Sequence, residues 1–394
     1  MKPAIALLVP LSLLPACAPQ AVPPDPQTQE DWRAQMAQIP TPGEGCYQAT
    51  FPTLAWRNVP CVKPPDVPLR PARGEPPETV GNGNDYSASV SGTLTSSIGS
   101  FDSVVGVTSE TDPQNEPNAF SLQLNSNTFT TTVCNGAANP AACQGWQQFV
   151  YINGANGYAF MQYWLINWNT TCPPGWGAYY GDCYTNSNGV GVPVQTIASL
   201  PLFKLTGSIA AGTDTVTMSP GNGNLYSATG QDTVLNLQQG WSESEFNIFG
   251  YCCGSQAIFN AGSTITVRTS VNNGTTNTPT CVQQGFTGET NNLTLVSPCC
   301  AFGGTSPAIV FTESNVQGAT AACVCPMGQT YCVGGCTTTG TDPSNCGQCG
   351  HVCAMNQVCR SGQCVSACGV CHSPQVCCIG ASGNYACNPP NYCQ

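Results

Sequence analysis

Between residues 81 and 322 the hydrophobic positions recur at every second residue in short runs, and nowhere on a sustained helical period. Phe120-Ser-Leu-Gln-Leu-Asn125, Phe149-Val-Tyr-Ile-Asn153, Phe160-Met-Gln-Tyr-Trp-Leu-Ile166, Thr215-Val-Thr-Met218, Phe246-Asn-Ile-Phe249 and Thr264-Ile-Thr-Val-Arg268 are such runs. Asn153-Gly154 and Asn156-Gly157 stand between two of them, where a tight hairpin turn needs residues that accept positive φ. Many short strands joined by turn residues predict an all-β fold, an antiparallel β-sandwich. Period-two alternation puts Glu243, Glu245, Asn247 and Phe249 on one face of a strand. On another strand it puts Phe160, Gln162, Trp164, Ile166 and Trp168 on one side. A face with an amide beside two tryptophans suits a ligand groove better than a core, because a buried amide needs hydrogen-bond partners.

The alternation fails at both ends of the chain. Lys2 is followed by an apolar run from Ala4 to Ala16 and then by Cys17. A positive start, a short apolar stretch and a small residue before the cut predict an export signal over 1–16. The run is too short to span a bilayer as a permanent helix. Leu14-Pro15-Ala16-Cys17 resembles the lipobox of bacterial lipoproteins, and the resemblance implies that Cys17 is lipidated and anchors the chain at the cell envelope, in the outer membrane or at the cell surface. Residues 17–80 are rich in proline, which blocks helix and sheet pairing and predicts a semi-extended tether. One island, Cys46 to Cys61, interrupts it. Its two cysteines are placed to close a loop, with Phe51 and Trp56 docking it on the next domain.

Residues 323–394 hold 15 of the 27 cysteines. Eight run from Cys325 to Cys364 and six from Cys368 to Cys393, so each group pairs internally by parity. Cys323 is left over. The 11 cysteines from Cys46 to Cys300 are odd in number, which predicts that Cys323 bonds back to the sandwich. Within it, Cys134/Cys143 and Cys172/Cys183 are placed to close surface loops. Cys252-Cys253 and Cys299-Cys300, with Cys281, are placed to pin loops together. A segment so poor in apolar residues needs staples rather than a core. Gly328-Gln-Thr-x-Cys332-x-Gly-Gly-Cys336, Asp342-Pro-x-Asn-Cys346-Gly-x-Cys349-Gly-x-x-Cys353 and Gly362-Gln-Cys364 resemble the stigma-specific cysteine-rich family. That resemblance implies an extracellular disulfide module without a catalytic role. The spacings Cys346-x2-Cys349 and Cys368-x2-Cys371 also suit zinc, but export favours disulfides.

Composition narrows the chemistry. Lys plus Arg number 9 against 20 Asp plus Glu, a net charge of -11, so the basic footprint of a nucleic-acid binder is missing. The two histidines, His351 and His372, lie in the tail, which rules out a Ser-His-Asp triad, a Cys-His dyad or His-ligated zinc in the sandwich. No glycine-rich phosphate loop precedes a helix, so no nucleotide is expected. Neither a cofactor nor a metal is called for. Carboxylates, amides and hydroxyls remain.

Trp146-Gln-Gln-Phe-Val-Tyr-Ile-Asn-Gly154, Phe160-Met-Gln162-Tyr-Trp164, and Ser244-Glu245-Phe-Asn-Ile-Phe249 with Ala257-Ile-Phe259 behind it resemble the eqolisins, glutamic peptidases with a concanavalin-like β-sandwich. The resemblance concerns spacing and strand context over 146–267, with low literal identity. The segment after Trp146 is longer than the family's, and the insertion Cys172–Cys183 departs from it. The resemblance implies that Gln162 and Glu245 are the catalytic pair. Ionised Glu245 takes a proton from water as it attacks a peptide carbonyl, and Gln162 donates to the developing oxyanion. Trp164, Trp168, Glu243 and Asn247 then line the substrate site, and an acid optimum is expected. Two other readings stand beside this one. Gln162, Tyr163, Trp164, Trp168, Trp176, Tyr179 and Tyr180 suit an aromatic platform that binds glycans or peptides without hydrolysis. Glu243 with Glu245 or Glu289 suits a glycosidase, although the Glu-x-Asp-x-x-Glu pattern of laminarinase-type glucanases is missing. Asp182, Asp214 and Asp232 read as Asx-turn residues, and Glu313 as the end of a strand.

Overall fold

The computed structural model describes residues 28–69, 85–283, 288–321 and, with short gaps, 323–388. The export signal and Cys17 lie outside the described residues. Two nine-stranded sheets form the body. The first runs Thr280–Val282, Ser87–Ser89, Glu243–Gly250, Phe120–Ser126, Gln144–Asn153, Gly157–Ile166, Asp182–Asn186 and Gly177–Tyr179, with Val190–Val192 also paired to the Gly157–Ile166 strand. The second runs Arg57–Val59, Cys46–Thr50, Asn224–Gln231, Thr213–Ser219, Lys204–Ala210, Ser96–Val105, Thr264–Asn272, Ala308–Ser314 and Thr294–Phe302. Neighbours in both are antiparallel, as the alternation predicted. The hairpin at Asn153–Gly157 joins the two longest strands of the first sheet.

The core lies between the sheets. Leu124, Phe149, Met161 and Phe246 from the first meet Leu205, Val216, Val267 and Phe311 from the second. Two glycines let the sheets come together. A Cβ on Gly99 would lie 2.0 Å from the Phe246 ring, and one on Gly207 would lie 2.4 Å from the Phe149 ring. Aromatic rings therefore sit directly on backbone, a contact that no larger residue allows.

The segment read as tether contributes elements to the body. Gln29–Met36 is a helix, capped by the Thr28 hydroxyl, which accepts the Asp31 N–H at 3.0 Å. Its Trp32 and Met36 are buried against Ala49 and Leu225, with Phe51 and Trp56 alongside. Cys46–Thr50 pairs with Asn224–Gln231 and Arg57–Val59 extends that edge. The physical reason is local. Between Pro42 and Pro60 the only proline is Pro52, so the strands are free to donate to a ladder although the surrounding stretch is not.

Among the described residues, the bridged cysteines pair within the groups that parity suggested. Cys46–Cys61, Cys134–Cys143 and Cys172–Cys183 close their loops, and Cys300–Cys323 ties the tail to the sandwich. Cys281–Cys299 links two strands of different sheets, and Cys252–Cys253 is a vicinal bridge. In the tail, Cys332–Cys349, Cys346–Cys359, Cys353–Cys364, Cys368–Cys377 and Cys371–Cys387 stay within their own groups. The four cysteines with zinc-like spacing are thus oxidised and offer no thiolate to a metal.

Candidate functional site

The strand register brings the two residues singled out for catalysis into one row. Glu245 lies opposite Asn125, Asn125 opposite Gln148, and Gln148 opposite Gln162. The alternate residues of these strands face the second sheet. Ser244 Oγ, for example, donates to Ser97 Oγ at 2.8 Å. The row of amides and carboxyl therefore lies on the outer face of the first sheet. Gln162 and Glu245 stand three strand steps apart, on the order of 14 Å of backbone along a flat sheet, with Asn125 and Gln148 filling the row between them.

This face was expected to be open, and it is covered. Gln162, Gln148, Asn125 and Glu245 are each 0% exposed. Residues 62–69 lie over the Gln162 end. Val62 exchanges both backbone hydrogen bonds with Gly189, at 2.8 and 2.9 Å. Asn186 Nδ2 donates to the Pro65 carbonyl at 3.0 Å. Gln162 then binds the chain twice, donating from Nε2 to the Val67 carbonyl at 3.0 Å and accepting the Leu69 N–H on Oε1 at 2.7 Å. The Leu69 side chain is fully buried among Val150, Ile152 and Phe160. Gln162 is completed by Asn186 Oδ1 at 2.7 Å and the Trp164 indole N–H at 3.1 Å. A buried amide has found all its partners.

The aromatic residues form an internal stack, not an open platform. Trp164 packs with Trp146, Tyr179 and Tyr184 and also donates to Gln148 Oε1 at 2.9 Å. Tyr180, 76% exposed, meets Tyr179 edge-on at the open end. Trp168 is not on this face. The strand ends at Ile166, Asn167 turns the chain at φ 58°, and the Trp168 ring rests on Gly136 beside the Cys134–Cys143 loop. Alternation stops where the strand stops.

At the other end of the row, Glu245 sits in an acidic cluster. Asn125 Nδ2 donates to its Oε2 at 2.6 Å. The carboxyls of Asp85 and Glu313 are neighbours. Burial, then Asp85, with Glu313 adding to both, raises Glu245 well above the usual carboxyl range. The carboxyl-to-carboxyl contact with Asp85 requires a shared proton. Burial and the Asp85 carboxyl thus both favour the protonated form of Glu245. Glu313 is also held well above its ordinary value, first by burial, and accepts from Asn247 Nδ2 at 2.9 Å and Asn291 Nδ2 at 3.1 Å. Asn247 therefore serves the cluster. Glu243 accepts the Ser87 hydroxyl and is raised by burial. Glu289 accepts the Gly254 N–H at 3.1 Å.

Sequence reasoning passed over Asp85, Asn125, Gln148 and Glu313. For Glu313 a signal existed. Ile309, Phe311 and Glu313 share one strand face, and the first two are core residues, so period two already pointed a carboxyl inward. Asp85 has no such pattern. A second carboxyl pair lies between the sheets, Asp214 with Asp232, where Gln147 Nε2 donates to Asp214 Oδ2 at 2.9 Å. Burial and Asp232 push Asp214 up to about 8. Its predicted Asx-turn role is replaced by an inward one, because Asp214 is a strand residue.

No protein-family model matches the chain, and no curated protein does. Among solved structures, the chain matches a crystal structure of scytalido-glutamic peptidase with a transition state analog inhibitor, at 8% identity and a TM-score of 0.26. The match covers 58% of this chain and 98% of that one. The likeness is weak and too distant to assign any residue a role.

Proposed function

We propose that this is an exported protein, anchored through a lipid on Cys17, whose sandwich hydrolyses peptides at acid pH. The observation that supports a peptide as ligand is the carbonyl of Val67 seated on Gln162 Nε2 at 3.0 Å. An amide that donates to a peptide carbonyl holds an extended backbone in place. The acid–base group is Glu245 paired with Asp85. Two carboxyls that share one proton supply a base and an acid together, and the pair titrates as a unit. Its ionised member takes the proton of an attacking water, and its protonated member supplies the leaving nitrogen. Asn125, which touches Glu245, is the amide beside that pair, while Gln162, at the other end of the row, holds the peptide backbone.

The second reading is a binder of peptides that does not hydrolyse them. The three strand steps between Gln162 and Glu245 favour it, because groups so far apart along the sheet hold a ligand at two places more readily than they act on one bond. Glycans fit less well, since the contacts at Gln162 read a peptide backbone. Casein hydrolysis by the mature protein across acid pH separates the two. Hydrolysis lost in both Glu245→Gln and Asp85→Asn supports the peptidase. A wild-type protein without hydrolysis at any pH leaves the binder.

A further inference from the structure

Residues 62–69 touch the sheet as a bound peptide would. Contacts to the backbone come at Val62, Pro65, Val67 and Leu69, and two of the partners are side-chain amides, Asn186 and Gln162, rather than a strand ladder. Such amides read an extended backbone whatever its sequence. Pro64, Pro65 and Pro68 hold the segment extended at little entropic cost and remove three donors that the groove leaves unused. One side chain is anchored, Leu69 in its pocket of Val150, Ile152 and Phe160. The segment begins at a covalent stop, the Cys46–Cys61 bridge to the second sheet.

We propose that the groove over Gln162 and Asn186 is a binding site for extended, proline-containing peptides with a leucine-type anchor, and that the chain's own residues 62–69 fill it in cis. An external peptide must displace them. The inference rests on the peptide-site reading of this face and needs no hydrolysis.

The test uses the full chain carrying Glu245→Gln, so that cleavage cannot intervene, and a fluorescein-labelled peptide of the sequence Lys-Pro-Pro-Asp-Val-Pro-Leu. Anisotropy is measured with and without Leu69→Asp, which expels the cis anchor. Binding is expected to be at least about tenfold tighter to the Leu69→Asp chain, a shift of about 1.4 kcal/mol. It is expected to fall again when the peptide's leucine becomes aspartate or when Gln162→Ala is added. Leu69→Ala is the milder second variant, with circular dichroism as the check of folding. Equal affinity with and without the cis anchor, or no binding to a folded variant, overturns the proposal. So does failure of both variants to fold, which would make the segment a fixed part of the body. Loss of casein hydrolysis elsewhere leaves this binding result untouched.

Discussion

Glu245 and Asn125 show how one contact decides what a buried carboxyl does. Burial and Asp85 favour the protonated form of Glu245, so Glu245→Gln keeps its size and loses only an acidic proton. Stability at neutral pH is expected to be unchanged or higher, by comparison of urea midpoints, while any hydrolysis is lost. Asn125→Ala has the opposite signature. It removes the donor at 2.6 Å from Glu245 and leaves a buried oxygen unsatisfied, so a loss of about 1–3 kcal/mol is expected in the same urea measurement. Alternation placed Glu245 and Gln162 on strand faces, and the resemblance to glutamic peptidases singled the two out. Asp85 was not legible, since its role depends on where the strand of Ser87 lies beside Glu245, a pairing between residues far apart in the chain.

At the scale of elements, the two sheets approach through glycine. Gly99→Ala drives a methyl group into the Phe246 ring, and an overpacking loss of about 1–3 kcal/mol is expected by urea unfolding. Gly191→Ala is the control. A Cβ there meets nothing within 4 Å, and a change within about 0.5 kcal/mol is expected. The strands themselves were readable, and so was the hairpin at Asn153–Gly157. The helix at Gln29–Met36 and the strands at Cys46–Val59 were hidden because proline was weighed over the whole leader instead of residue by residue. The same averaging hid residues 62–69, whose prolines disqualify them as a strand yet suit them to lie across one.

The molecule as a whole holds carboxyls whose pKa burial raises. Asp214 and Glu110 are pushed up to about 8, and Asp182 to about 6, in each case first by burial. In the unfolded chain these groups ionise near 4. Between the two values the folded state binds more protons, so stability falls as pH rises. The stabilisation is complete below about pH 4 and lost by about pH 8, and a scan of melting temperature against pH is expected to decline over that window. A melting temperature that rises from pH 4 to pH 8 would show that these groups are not buried in the folded protein. Sequence by itself determined the all-β class, the cysteine pairing groups and the two ends of the polar row, because alternation, parity and strand spacing are local properties. Only the tertiary structure decided that the row is covered, that the Asp85 carboxyl joins Glu245, and that the chain seats its own residues 62–69 on Gln162. Burial and shared protons depend on what packs against a face, and no local pattern records that.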